Sequence, residues 1–127
     1  MRRPLEKDIQ RVLLTYLRSV LGWPVVRINS GGMRRGKSFY RFNDTAGVSD
    51  IVGLIPPAGR FLAIEVKRPG GRPTEQQRQW LDAVRAAGGV GLVVTGLDDL
   101  RQQLRELVVL ETASTGGPSP MVLDGED

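Results

Sequence analysis

The sequence predicts an α/β fold: a mixed central sheet flanked by helices. Three features carry this expectation. Apolar residues recur at helical spacing near the N-terminus and twice after residue 73. Short runs rich in Val, Ile and Phe stand between those stretches. Two of the runs are joined by a turn signal and are followed by a helix and one more strand, so an antiparallel pair is extended by a crossover strand.

Leu5 to Leu21 reads as an amphipathic helix, with Leu5, Ile9, Val12, Leu13, Tyr16, Leu17, Val20 and Leu21 on one stripe, Pro4 before it and Gly22 ending it. Val25 to Asn29 reads as a strand. Ser30 to Ser38, rich in Gly, Arg and Lys, reads as a loop, and Phe39 to Phe42 as a short strand. Asp50 to Ile55 and Arg60 to Lys67 are strands joined by the turn Pro56-Pro57-Ala58-Gly59. Arg68 to Pro73 is a loop. Thr74 to Ala87 is a second helix closed by Gly88-Gly89, and Val90 to Thr95 is a buried strand. Asp98 is placed to cap a last helix carrying Leu100, Leu104 and Leu107. The order is α-β-β-β-β-α-β-α, and no internal repeat interrupts it. Residues 1–111 are expected to form one domain. Residues 112–127, rich in Ser, Gly, Pro and acids, are expected to be a disordered acidic tail.

Composition narrows the chemistry. The 127 residues, 40% hydrophobic and 25% charged, suit one globular domain with a real core. No apolar run approaches the roughly 18 residues that span a bilayer, and the charged N-terminus does not resemble a secretion signal, so a cytoplasmic protein without a membrane partner is expected. The chain has neither Cys nor His. That excludes disulfides, thiol nucleophiles, Ser–His–Asp chemistry and His- or Cys-built zinc sites, leaving Asp, Glu, Lys, Ser, Thr, Tyr and Arg, with or without a metal. The net charge of +4 is unevenly spread: residues 1–85 hold 16 Lys/Arg against 7 Asp/Glu, and residues 86–127 hold 2 against 7. A basic body, with Arg supplying 15 of the 18 cations, suits a polyanion such as DNA, although solubility alone also explains charge.

The hairpin gathers the reactive groups. Asp50 and Glu65 are symmetric about its turn, so regular pairing sets them on opposite strands with Cβ atoms about 5 Å apart. Glu65 and Lys67, two residues apart, share a face, while Val66 points into the core. Opposed carboxylates repel, and a divalent cation relieves that repulsion. Mg²⁺ binds through one or two carboxylates together with phosphate and water, polarising the phosphoryl group and activating a bound water. Lys67 can then stabilise the developing charge or orient the water. The same spacing also fits an ordinary surface Glu–Lys pair. Against that stand the apolar setting of Ile64-Glu65-Val66-Lys67, where charge is rarely buried without purpose, and Gly47 and Gly53 around Asp50, which keep local bulk low.

Val48-Ser49-Asp50 followed by Glu65-Val66-Lys67 resembles the signature of the PD-(D/E)xK nuclease superfamily, and more closely its virus-type replication-repair nuclease branch, the VRR-NUC domain. The likeness takes in Glu6, Arg27-Ile28-Asn29 then Gly31, Gly47-Val48-Ser49-Asp50, Gly59-Arg60-Phe61, Ile64-Glu65-Val66-Lys67, Thr74-Glu75-Gln76-Gln77 before Trp80, and Ala87-Gly88-Gly89. It runs over about residues 5 to 105. One departure is Ser49, where the superfamily has proline. The resemblance implies a restriction-endonuclease-like αβββαβ core that cuts DNA with Mg²⁺ or Mn²⁺ and leaves a 5′-phosphate and a 3′-hydroxyl. It implies Asp50, Glu65 and the Val66 carbonyl as metal ligands, Lys67 as the catalytic lysine, Glu6 as an additional acid near the metal, and Gln77 beside the active site.

Local readings stand beside these. Thr74-x-x-Gln77 is also a capping box, and Glu6 is also an acid favoured in a first helical turn. Asn29, Arg34, Arg35, Lys37 and Arg41, in and around the glycine-rich basic loop, are expected to contact the nucleic acid, as are Arg68 and Arg72 at the mouth of the site. A solvated loop is the plainer reading of those cations. Trp80, Leu81 and Val84 read as helix core. The small surface of one domain is compatible with a symmetric homodimer gripping DNA, and with branched, flapped or junction substrates. Two rivals remain open: a catalytically silent DNA-binding module, and a nuclease subunit active only within a larger repair or phage assembly.

Overall fold

A computed structural model describes residues 5–28, 32–41 and 47–115. The chain runs through α1 (Glu6–Thr15), β1 (Val25–Arg27), β2 (Gly32–Arg35), β3 (Ser38–Arg41), β4 (Ile51–Ile55), β5 (Arg60–Val66), α2 (Glu75–Ala86), β6 (Val90–Val94) and α3 (Leu97–Thr115). The main sheet has the order β1-β4-β5-β6. β1 and β5 lie antiparallel to β4, and β6 lies parallel to β5 after the crossover through α2. This is the mixed sheet with helices on both faces that the element order predicts.

Period-two alternation sorts each strand onto two faces. Ile51, Ile55, Leu62, Ile64 and Val66 pack with Ile9, Leu13 and Leu17 of the N-terminal helix and with Leu100 and Leu104 of α3. The opposite face carries a smaller cluster, Ala63 with Leu81 and Val84 of α2, against which Trp80 is partly buried. Fully burying a Leu or Ile side chain contributes roughly 1.5–3 kcal/mol, so the larger cluster dominates the stability of the sheet.

The N-terminal helix continues beyond α1 as a π-helical turn over Tyr16–Val20, where the Leu21 N–H donates to the Tyr16 carbonyl at 3.1 Å. The stretch read as a loop over residues 30–38 is in part a hairpin. β2 pairs with β3 in the register Arg35↔Ser38, Arg34↔Phe39, Met33↔Tyr40 and Gly32↔Arg41. Its two-residue turn is Gly36-Lys37, and Gly36 takes the left-handed φ of 62° that such turns demand. Basic residues hid the strand pattern, because β2 has only one large apolar side chain. Asp98 is not the cap of α3. Leu100 donates to the Gly96 carbonyl at 3.0 Å, so the helix begins two residues earlier than a cap at Asp98 allows, and it is the Asp99 carboxylate that accepts from the Thr95 N–H, at 2.9 Å. α3 also runs to Thr115, past the boundary expected at residue 111; residues 116–127 lie outside the described residues. Among the described residues no helix is long and apolar enough to cross a membrane.

Candidate active site

The β4–β5 register pairs Ile51 with Ile64, and one step further along it Asp50 falls across from Glu65. Asp50 stands just outside β4 and Lys67 just outside β5, while Glu65 is the penultimate residue of β5. The Asp50 carboxylate accepts from the Val66 N–H at 2.9 Å, extending the ladder by a side chain. Its own carbonyl accepts from the Ile28 N–H at 2.7 Å, which ties it to β1. The next residue, Lys67, sends its N–H the other way, to the Val94 carbonyl of β6 at 3.0 Å. Since N–H and C=O of one strand residue share a side, the Val66 carbonyl faces Asp50 rather than β6.

Glu65 is only 2% exposed, on the α2 side of the sheet. Two donors address one of its oxygens: the Gln77 Nε2 at 2.9 Å and the Lys67 ammonium at 3.8 Å. The other oxygen, Oε1, is buried and finds no hydrogen-bond donor. A buried carboxylate oxygen without a partner costs free energy unless the group is protonated or meets a cation. Burial pushes the Glu65 carboxyl up to about 8; the adjacent Asp50 carboxylate, with which it can share a proton, pushes the same way, Lys67 opposes, and Glu6 adds a smaller upward push. Glu6, half-buried at the start of α1, is therefore near enough for Glu65 to feel its charge.

The donor set fits a hard divalent cation: an orphaned glutamate oxygen, an aspartate across from it, and a backbone carbonyl on the same side. Among the described residues no three acidic side chains converge as a ligand cluster, so two carboxylates and the peptide oxygen are the set available, with Glu6 further out.

Gln77 serves both readings the sequence leaves open. Its Oε1 accepts from the Thr74 N–H at 2.8 Å while the Thr74 hydroxyl accepts from the Gln77 N–H at 3.1 Å, which completes the capping box. Because Oε1 is committed to the cap, the amide NH₂ is the end that reaches Glu65. Gly47 lets α2 come this close. At a φ of 85°, a Cβ there would stand 2.6 Å from the Gln76 carbonyl carbon.

The basic residues divide. Arg35 and Lys37 are exposed on β2 and its turn, and Arg34 and Arg41 take backbone positions in the same hairpin. Asn29 lies outside the described residues. Arg72 is exposed beyond the site, whereas the Arg68 Nε is buried without a partner, unlike a cation of a solvated loop. Ser49, beside Asp50, is fully buried and its hydroxyl lacks a partner. Sequence reading notes Ser49 only as a departure from proline; the period of β4 gives no signal of its burial, since it precedes the strand.

A family model for the VRR-NUC domain matches residues 34–97, about half of the chain. The solved structure of a VRR_NUC domain protein resembles this fold with a TM-score of 0.61 over 86% of this chain and 92% of that one, at 17% sequence identity. No curated protein matches the sequence. At such identity the structural likeness speaks for the fold alone, and the sequence match speaks for the family. The chain belongs to the VRR-NUC domain family, a nuclease-type domain.

Proposed function

We propose that the protein is a divalent-metal-dependent nuclease that hydrolyses DNA phosphodiester bonds, with Asp50, Glu65 and the Val66 carbonyl holding Mg²⁺ or Mn²⁺. The observation that carries this reading is the buried Glu65 oxygen that lacks a hydrogen-bond partner in a carboxylate that feels the charge of the adjacent Asp50. A surface Glu–Lys pair would not be 2% exposed on its acidic side. When bound, such an ion supplies charge to the phosphoryl oxygens and acidity to a water.

The chain's own residues do the rest. The Val66 N–H holds Asp50, and Gln77 holds Glu65, so neither carboxylate must reorganise when the scissile phosphate arrives. The Lys67 side chain, 13% exposed, sets its ammonium 3.8 Å from Glu65, where it can hydrogen-bond to the attacking water or to a phosphate oxygen. Glu6 adds negative charge that favours a cation. The basic β2–β3 hairpin and Arg72 supply cations for the phosphate backbone beyond the cut.

The test compares wild type with Asp50→Asn, Glu65→Gln and Lys67→Ala on linear, nicked and branched DNA in Mg²⁺, Mn²⁺ or EDTA. Wild type is expected to cut only with metal, and each variant to lose at least about a hundredfold, the scale of removing one electrostatic stabiliser. Scission at wild-type rates in all three variants would place the chemistry elsewhere. DNA binding without metal-stimulated scission would leave a silent binding module.

A further inference from the structure

The hairpin cations are not the only basic surface. A groove of about 200 Å³ between α1 and β1 is lined by Lys7, Gln10, Arg11, Leu14 and Arg27. Three of these five are cations, and all three are exposed. Among the described residues, Arg11 of the groove wall pairs with Asp8 one turn back on α1, at 3.7 Å. That contact is solvent-screened and weak, so it leaves Arg11 able to turn to another anion. Leu14 and the aliphatic stems of the long cations supply an apolar floor, and Gln10 a neutral hydrogen-bonding group.

Its position matters more than its charge. Arg27 pairs across the sheet with Ile51, the residue after Asp50, and Ile28 next to it donates to the Asp50 carbonyl at 2.7 Å. β1, β4 and β5 are successive strands, so Arg27 lies at the same end of the sheet as Asp50 and Glu65, two strand spacings or about 10 Å from β5. On α1, Lys7 follows Glu6, whose charge Glu65 feels. The groove therefore opens at the same end of the sheet as the candidate metal site, on the α1 face at the open edge of β1, around that edge from Glu65 on the α2 face.

Resting on the nuclease reading, we propose that the groove formed by Lys7, Gln10, Arg11 and Arg27 is a subsite for the nucleic-acid backbone, binding phosphates that flank the scissile one. Lys7 and Arg27 carry the interaction, Arg11 joins it by exchanging Asp8 for phosphate, and Gln10 donates a neutral hydrogen bond. The contacts are to backbone and independent of base sequence.

The double variant Lys7→Gln/Arg27→Gln is to be compared with wild type and with Arg60→Gln, a cation at the far end of the β4–β5 hairpin. Duplex DNA binding is measured across a salt series in Ca²⁺ and in EDTA, and cleavage in Mg²⁺. Each lost phosphate contact lowers the slope of log K against log salt by about 0.9, so the double variant is expected to lose roughly one to two, and Arg60→Gln none. Substrates with one neutral methylphosphonate at successive positions beside the cut should weaken wild-type cleavage at one or two positions and leave the double variant indifferent there. This arm separates backbone binding from capture of free phosphate. Unchanged slopes with intact cleavage overturn the groove alone. A lowered slope in a protein that never cuts overturns the nuclease reading alone, and a wild type that binds no DNA overturns both.

Discussion

At Glu65, burial and charge compete, and the outcome depends on pH. In the metal-free protein the carboxyl titrates near 8, against 4.5 for the ordinary group. The folded state thus holds a proton that the unfolded chain releases. The resulting stability is fully present below about 4.5 and is lost as pH rises through about 8. Thermal unfolding in EDTA should therefore give a midpoint that falls between pH 5 and 8. In Glu65→Gln, which carries no titrating proton, this part of the fall should vanish. Parallel profiles for the two proteins would show that Glu65 is ionised throughout. The same proton must leave before a cation can bind, so metal affinity should climb with pH, by roughly tenfold per unit where one proton is displaced, and level off above about 8. Lys67, on the same face two residues on, softens the competition without ending it, since it addresses the oxygen that Gln77 already serves.

Among the elements, α2 does two jobs with one turn. Its capping box stabilises the helix start, and the amide of that same box steadies Glu65 twelve residues earlier in the chain. The two jobs can be separated by mutation. Thr74→Ala removes the cap's hydroxyl and should lower stability by about 1 kcal/mol while cleavage at saturating metal stays near wild type. Gln77→Met removes the cap's other half and the Glu65 contact together. It should lower stability by a similar amount and cut metal affinity or turnover at least tenfold, as loss of a group supporting a metal ligand does. Equal activity in the two variants would reduce Gln77 to a helix cap. The parallel β5–β6 pair explains why this arrangement is available. A crossover must return α2 over one face of β5, and Glu65 is on that face.

For the molecule as a whole, the site occupies one end of a sheet whose interior is apolar and whose two faces are covered. Repulsive carboxylates can be tolerated there because the large cluster between the sheet and the N-terminal helix and α3 supplies most of the burial. A cation that binds only the folded chain adds to that stability: about 2.7 kcal/mol at a hundred times its dissociation constant. Thermal unfolding with Mg²⁺ or Mn²⁺ at pH 8 should show a midpoint several degrees higher than in EDTA, and Glu65→Gln should show no such rise. An equal rise in the variant would assign the ions to another part of the surface. Charge is arranged at the same scale, with the β2–β3 hairpin in the connection between the paired strands β1 and β4 and the α1–β1 groove at the sheet edge.

The sequence by itself determined the hairpin and which charged groups meet at its end. Strand alternation and the position of the Pro-Pro turn suffice to set Asp50 across from Glu65 and Lys67 beside it, because these relations are local to two adjoining strands. The helix start at Thr74 was legible for the same reason, and so was the burial of Leu81 and Val84. Only the tertiary structure decided which groups meet across elements. It brought the Gln77 amide to Glu65, set Glu6 within reach of its charge, buried Ser49, folded the basic loop into β2 and β3, gave the contact with Thr95 to Asp99 rather than a cap to Asp98, and aligned Lys7 with Arg27. Periodicity and turn chemistry report what a residue's chain neighbours do. The distance between side chains on different elements is set by how those elements pack, and that depends on the whole core at once.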